Sequence, residues 1–241
     1  MNFKFSIGTI YWGDYECLRR HIEHAKNFTD DIVILNINLF GEYTHPDAQI
    51  INVPFNFLFQ HGYADGWNII TSHTKYDWFY PLAAGKEIVH INKAALENIP
   101  EEVAAFTVFE TGNEKERWFK LCNSKKTKWV GHIHEEPYPL IMQGIYYQFS
   151  ETEVLEWKRR SYEFDPITDL ICRNYRQLTR LKWIAELQNG NNRIGTNNWW
   201  WTLYPHKKKA LEAYKKYMQA YEANFTNLIL LLKTWQIKES F

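Results

Sequence analysis

Polar and apolar positions change rhythm several times along the chain, and each change marks an element. Phe3 to Ile10 alternate and are rich in β-formers, which predicts a strand that Gly13-Asp14 breaks. From Tyr15 to Asn27, Cys17, Leu18, His21, Ile22 and Ala25 recur at helical spacing. Asp31 opens the continuous apolar run Ile32-Val33-Ile34-Leu35, the pattern of a strand buried on both faces. Gln49 to Val53 reads as a strand stopped by Pro54, Gly62 to Ser72 as a helix, and Trp78-Phe79-Tyr80 as another buried strand. Strand, helix, strand, strand, helix, strand predicts an α/β sheet wound in one direction, with ligands collecting at the carboxyl ends of its strands. Those ends are Thr9 to Asp14, Asn36 to Phe40 and Leu82 to Glu87.

Beyond residue 100 the pattern turns to hairpins and then helices. Val103 to Glu110 and Arg117 to Cys122 read as strands joined by Thr111-Gly112-Asn113, and Lys128 to Ile133 as a further strand. From Glu151 onward the pattern is helical, with Asp165-Pro166 as a cap and first-turn pair and Leu170, Tyr175, Leu178 and Leu181 on one apolar face. A polar loop over Gln188 to Asn198 precedes a last helix from about Lys207 to past Leu230. Residues 1–150 are therefore expected to form one α/β domain and residues 151–241 an α-helical extension.

Composition narrows the function. Aromatic residues make up 17% of the 241, including 11 Trp and 15 Tyr, enough to line a pocket for flat or ring-shaped ligands after the core has taken its share. Net charge is zero, so no global field recruits nucleic acid or an anionic membrane. Cys17, Cys122 and Cys172 have neither zinc spacing nor an even count, which fits a reducing compartment. Met1 leads straight into a strand-like run with no secretory leader, and Leu228 to Leu232 is too short to span a bilayer. A cytoplasmic protein with no membrane span is the expectation.

The chemistry concentrates in two segments. Trp129-Val130-Gly131-His132-Ile133-His134-Glu135-Glu136 brings two imidazoles and two carboxylates together. On an extended strand His132 and His134 share one face, and two such ligands form at most part of a metal site. Upstream, Tyr76 to Glu87 carries Trp78-Phe79-Tyr80-Pro81-Leu82 followed by Ala83-Ala84-Gly85-Lys86-Glu87. These two segments, with the opening Phe5-Ser6-Ile7-Gly8-Thr9-Ile10, resemble the family-two glycosyltransferases of GT-A fold, especially the small bacterial and phage-type members. The resemblance covers residues 3 to 138.

The resemblance implies a GT-A-like, Rossmann-like mixed sheet. It also implies a nucleoside-diphosphate sugar donor, first of all a UDP-sugar, and transfer to a hydroxyl acceptor with inversion. Where the family holds Mn²⁺ or Mg²⁺ on an Asp-X-Asp pair, this chain has Ala83 and Gly85, which cannot ligate a hard cation. Lys86 is one replacement for the missing charge, and Glu87 with His132 or His134 around a displaced cation is another. The family's catalytic neighbourhood makes Glu135 the candidate base, His134 its orienting or phosphate-contacting partner, and Glu136 the second candidate. Thr9 and Tyr11 are placed at the base and ribose. Asn36 and Asn38 stand where the family often reads the base with an acid, and Asp65 and Asn68 stand near its arginine-asparagine pair, with Trp67 departing from it. Beyond the resemblance, Trp199 and Trp200 beside Asn197-Asn198 suit stacking on an acceptor, and the basic run from His206 to Lys209 suits phosphate. Acceptors then include a glycan, a protein, a small molecule or a hydroxymethylated base in phage DNA. The rivals are a sugar- or nucleotide-binding pseudoenzyme and a His-Glu metallohydrolase.

Overall fold

The computed structural model describes residues 3–92, 94–97, 99–101, 103–110, 113–130, 136–139, 147–148 and 155–159, together with Cys172, Tyr175, Arg176 and Thr179. The first half alternates as expected: β1 (Ser6–Tyr11), α1 (Tyr15–Ala25), β2 (Ile32–Asn38), β3 (Gln49–Pro54), α2 (Phe57–Ser72) and β4 (Trp78–Pro81). Then come β5 (Lys86–Ile91), β6 (Ala105–Glu110), β7 (Asn113–Asn123), β8 (Thr127–Val130), β9 (Glu136–Pro139), β10 (Tyr147–Gln148) and β11 (Leu155–Arg159). Among the described residues these strands form a nine-stranded mixed sheet in the order β3-β2-β1-β4-β7-β6-β11-β5, with β10 on β6 and a separate β8–β9 pair. Strands β1 to β4 are mutually parallel, and β7 runs against both β4 and β6.

Two cores sandwich the parallel half. On one face α1 buries Cys17, Leu18, His21, Ile22 and Ala25, the stripe its spacing predicts, and Asp14 caps it by accepting from the Cys17 N–H at 2.9 Å. On the other face α2 lies close over β1 and β2 because two glycines leave room. A Cβ on Gly8 would stand 2.3 Å from the Phe79 ring and 2.5 Å from Ile70, and one on Gly66 would stand 2.8 Å from Ile10. The predicted Gly62–Ser72 helix has a further turn before it, and the two parts meet at Gly62 with φ 77°, a value glycine tolerates.

No helix links the parallel β2 and β3. Residues 39–48 instead run as a strap beside α1, held by stacking of Tyr43 on Tyr15 (4.6 Å, 21°) and by Asn52, whose amide bonds both the N–H and the C=O of Tyr43 at 3.0 Å. Such a link is short for a parallel crossover, and these side-chain bonds replace the packing a helix would supply.

Two expectations change. The charged segment at Lys86-Glu87, read as a strand end leading into loop, begins β5, which docks on α1 where the Ile88 N–H donates to Nε2 of His24 at 2.9 Å. The helical pattern expected from Glu151 gives way to β11, which pairs antiparallel with β5 and parallel with β6, so the sheet draws on residues past 150. The described part of the strand expected over Lys128–Ile133 is β8, which pairs antiparallel with β9, Val130 opposite Glu136; residues 131–133 lie outside the described residues. No helix of the described residues is long and apolar enough to cross a membrane.

Candidate functional site

The carboxyl ends of β1, β2 and β4 form one rim of the sheet, and side chains there divide into those buried within the fold and those half-buried at its edge. Thr9 is fully buried. Its hydroxyl donates to the Leu82 carbonyl at 2.7 Å and so accepts from Nε2–H of His21, also at 2.7 Å. Tyr11 is buried as well, its hydroxyl donating to the Asp14 carbonyl in the turn that starts α1. Asn36 is 1% exposed and donates to Asn52 Oδ1 at 2.8 Å and to the Gly41 carbonyl at 3.3 Å. These three proposed nucleotide contacts thus serve the strand ends and the strap, since a buried polar group must find partners within the fold. Asn38, one residue past the buried run of β2, is half-buried at the rim.

Across the rim, β4 turns sharply into β5. The Leu82 N–H donates to Gly8 at 2.9 Å, and the Lys86 N–H closes the turn on Ala83 at 3.1 Å. Gly85 has φ 88° at the third position of that turn, the arrangement that demands a glycine. Ala83, Ala84, Lys86 and Glu87 are all half-buried there. In the β5–β11 ladder Lys86 stands opposite Arg159 and Glu87 opposite Lys158.

On α2, Asp65 is exposed, 3.8 Å from Nδ1 of His61. Asn68 does something sequence reasoning missed: its amide accepts from the Trp129 N–H and donates to the Trp129 carbonyl, both at 2.9 Å. That clamp fixes β8 on α2, with the Trp129 ring packed 5.7 Å from Trp67 and 6.4 Å from Phe79. Among the described residues the buried Trp129 indole N–H meets no acceptor. Asn68 thus anchors β8, the strand that precedes residues 131–135 in the chain. Glu136 holds the first ladder position of β9. His132, His134, Glu135, Trp199 and Trp200 lie outside the described residues.

A second feature was only half legible. Cys172, Tyr175 and Thr179 sit at helical spacing, and Tyr175 was placed on an apolar face, but its target was not. Tyr175 packs on Trp12 (5.9 Å) and edge-on to Phe59 (5.4 Å), and its hydroxyl donates to the Phe55 carbonyl at 2.7 Å. The Cys172 thiol donates to the Trp12 carbonyl at 3.3 Å. Cys172 and Tyr175 therefore seat on Trp12, just past the end of β1.

Burial sets aside two of the three thiols. Burial pushes the Cys122 thiol up to about 12, and burial together with the Asp14 carboxylate does the same to Cys17, so neither supplies a thiolate near neutrality. Among the described residues the group with metal-ligand spacing is Glu23, His45 and Asp47, far from Glu87 along the chain and on other elements. Comparison with known proteins finds no matching family model and no similar curated protein.

Proposed function

We propose that the chain is a GT-A-like glycosyltransferase that moves a sugar from a nucleoside diphosphate to a hydroxyl acceptor. The observation that carries this reading is the parallel order β3-β2-β1-β4, in which the chain runs outward from β1 to β3 and then crosses to β4 on the other side of β1; sheets wound this way bind ligands at such a switch, here at the carboxyl ends of β1 and β4 beside the Gly85 turn. The reading places donor contacts at Asn38, Trp12, Lys86 and Glu87, which border the carboxyl ends of β1, β2 and β4. In the reaction the acceptor oxygen bonds to the anomeric carbon as the bond from that carbon to the diphosphate oxygen breaks. The acceptor proton passes to Glu135, and Lys86 balances the charge developing on the leaving diphosphate. Calorimetry against nucleoside diphosphates and their sugars, with Mn²⁺ and then with chelator, tests the reading. Binding that survives chelation supports a site built on Lys86, binding that needs Mn²⁺ supports a cation at Glu87, and no binding in either condition removes the donor.

One observation favours a second reading. Gly85 occupies a turn whose positive φ disfavours aspartate, so backbone geometry as well as sequence departs from a cation-binding pair. A donor-binding protein without turnover fits that departure. Glu135→Gln separates the two: an enzyme loses turnover and keeps donor affinity, whereas a binding protein has no turnover to lose.

A further inference from the structure

At the opposite end of the sheet, α1 and the 39–48 strap meet again. Glu23 stands in the last turn of α1, Lys26 caps that helix, and His45 and Asp47 belong to the strap. One carboxylate oxygen each from Glu23 and Asp47 and a ring nitrogen of His45 lie within 4.8 Å of one another. A cation already occupies their neighbourhood: the Lys26 ammonium is 2.6 Å from Asp47 Oδ2 and 3.8 Å from Glu23 Oε2. That ammonium marks where the local field draws positive charge. Beside it lies a cleft of about 600 Å³ at the amino ends of β2 and β3, whose lining includes Asp30, Asp31 and Asp47.

We propose that Glu23, His45 and Asp47 form a site for a divalent transition cation of the zinc type, which displaces the Lys26 ammonium and pins the strap to the end of α1. The donor set selects the class. One imidazole nitrogen with two carboxylate oxygens suits Zn²⁺ and its neighbours, whereas Mg²⁺ and Ca²⁺ favour oxygen alone. Three protein ligands leave the remaining position to water. Bonds of about 2.1 Å place tetrahedral ligand atoms about 3.4 Å apart, so the three groups close by roughly 1 Å. Glu23 and Asp47 are half-exposed side chains on a helix end and a strap, free to make that movement, and Lys26 can swing its flexible stem into solvent. Coordination also releases the Asp47 N–H, which now donates to Nδ1 of His45 at 3.1 Å, so binding is moderate rather than tight.

The site is independent of donor binding at the rim, and its test uses the metal alone. The full chain, stripped by chelation, is titrated with Zn²⁺ in a calorimeter and its thermal midpoint is followed with and without the ion. The expected result is one equivalent bound with micromolar affinity and a raised midpoint, weakened about 10-fold or more in His45→Ala and in Asp47→Asn, and strengthened several-fold in Lys26→Met, where the competing cation is gone. Two separately placed variants guard against a loss that is only misfolding, and the circular dichroism of each must match the parent. No binding at millimolar Zn²⁺, equal binding in parent and both ligand variants, or no gain in Lys26→Met overturns the site.

Discussion

The two sides of the rim look alike in sequence and differ in what the fold asks of them. On the β1–β2 side Thr9, Tyr11 and Asn36 are polar residues at strand ends, yet each is buried and bonded to neighbouring backbone or side chains. On the β4–β5 side Ala83 to Glu87 form a short turn of small and charged residues, all half-buried. Polarity at a strand end therefore does not identify a ligand contact. Burial decides: a polar atom shut away from water must be satisfied internally, whereas the turn keeps its charged groups only half-buried.

The contrast predicts that changes on the first side act on stability. Gly8→Val should have the largest effect, because the added carbon meets both Phe79 and Ile70 below 3 Å. A loss of about 3 kcal/mol or more in urea denaturation is expected, and a loss under about 1 kcal/mol would mean that α2 is not seated tightly on β1. Asn68→Ala comes next. It strips partners from both the N–H and the C=O of Trp129, so about 2–3 kcal/mol should be lost, together with slowed exchange protection of the Trp129 amide turning to rapid exchange. Asn36→Ala should cost about 1–2 kcal/mol by the same measurement, since the strap loses its tie at Gly41 while Asn52 still holds Tyr43. If Asn36→Ala instead leaves stability intact and weakens nucleotide binding, the β1–β2 side belongs to the ligand after all.

Much of this fold was legible because hydrophobic period reports burial directly. The stripe Cys17-Leu18-His21-Ile22-Ala25 and the run Ile32–Leu35 are buried as their spacing indicates. Strands β5 and β11 were hidden for the opposite reason: Lys86-Glu87-Ile88-Val89-His90 and Leu155-Glu156-Trp157-Lys158-Arg159 mix charges with apolar residues, as strands near a sheet edge do, and their pairing is long-range. At the site, residue type showed which groups carry chemistry but not which of them the fold consumes. Asn68 illustrates the gap. An amide suits a ligand and a peptide unit equally well, and only the approach of β8 to α2 reveals that Trp129 takes both of its ends.

On the β4–β5 side the effect should reverse. Lys86 is half-buried at the start of a strand, so Lys86→Ala should change stability by only about 0.5 kcal/mol. Affinity for a nucleoside diphosphate, measured without divalent metal, should fall about 10-fold, or ~1.4 kcal/mol. Lys86→Arg should recover part of that affinity if charge is what matters. An alanine variant that unfolds the protein would place Lys86 with Thr9 and Asn36, and the difference between the two sides would disappear.

The smallest effect belongs to the far end of the sheet, where charge rather than burial ties elements together. Asp30 accepts from the Tyr76 hydroxyl at 2.6 Å and pairs with the Lys75 ammonium at 2.9 Å, joining the start of β2 to the approach to β4. The Tyr76 hydrogen bond first, and then Lys75, hold its carboxyl at about 2 against an ordinary 3.8. A carboxyl depressed in the folded state stabilises above its unfolded pKa, and that contribution fades as pH falls from about 4 to about 2. Asp30 and Lys75 are exposed, so salt should shrink the effect. Urea midpoints for the parent chain and Asp30→Asn should therefore differ at pH 5 in low salt, converge by pH 2, and lie closer together at pH 5 in molar salt. A difference that persists unchanged to pH 2 would mean that Asp30 acts there through packing, as Thr9 does at the rim, and charge would lose its place as the bond between these two strands.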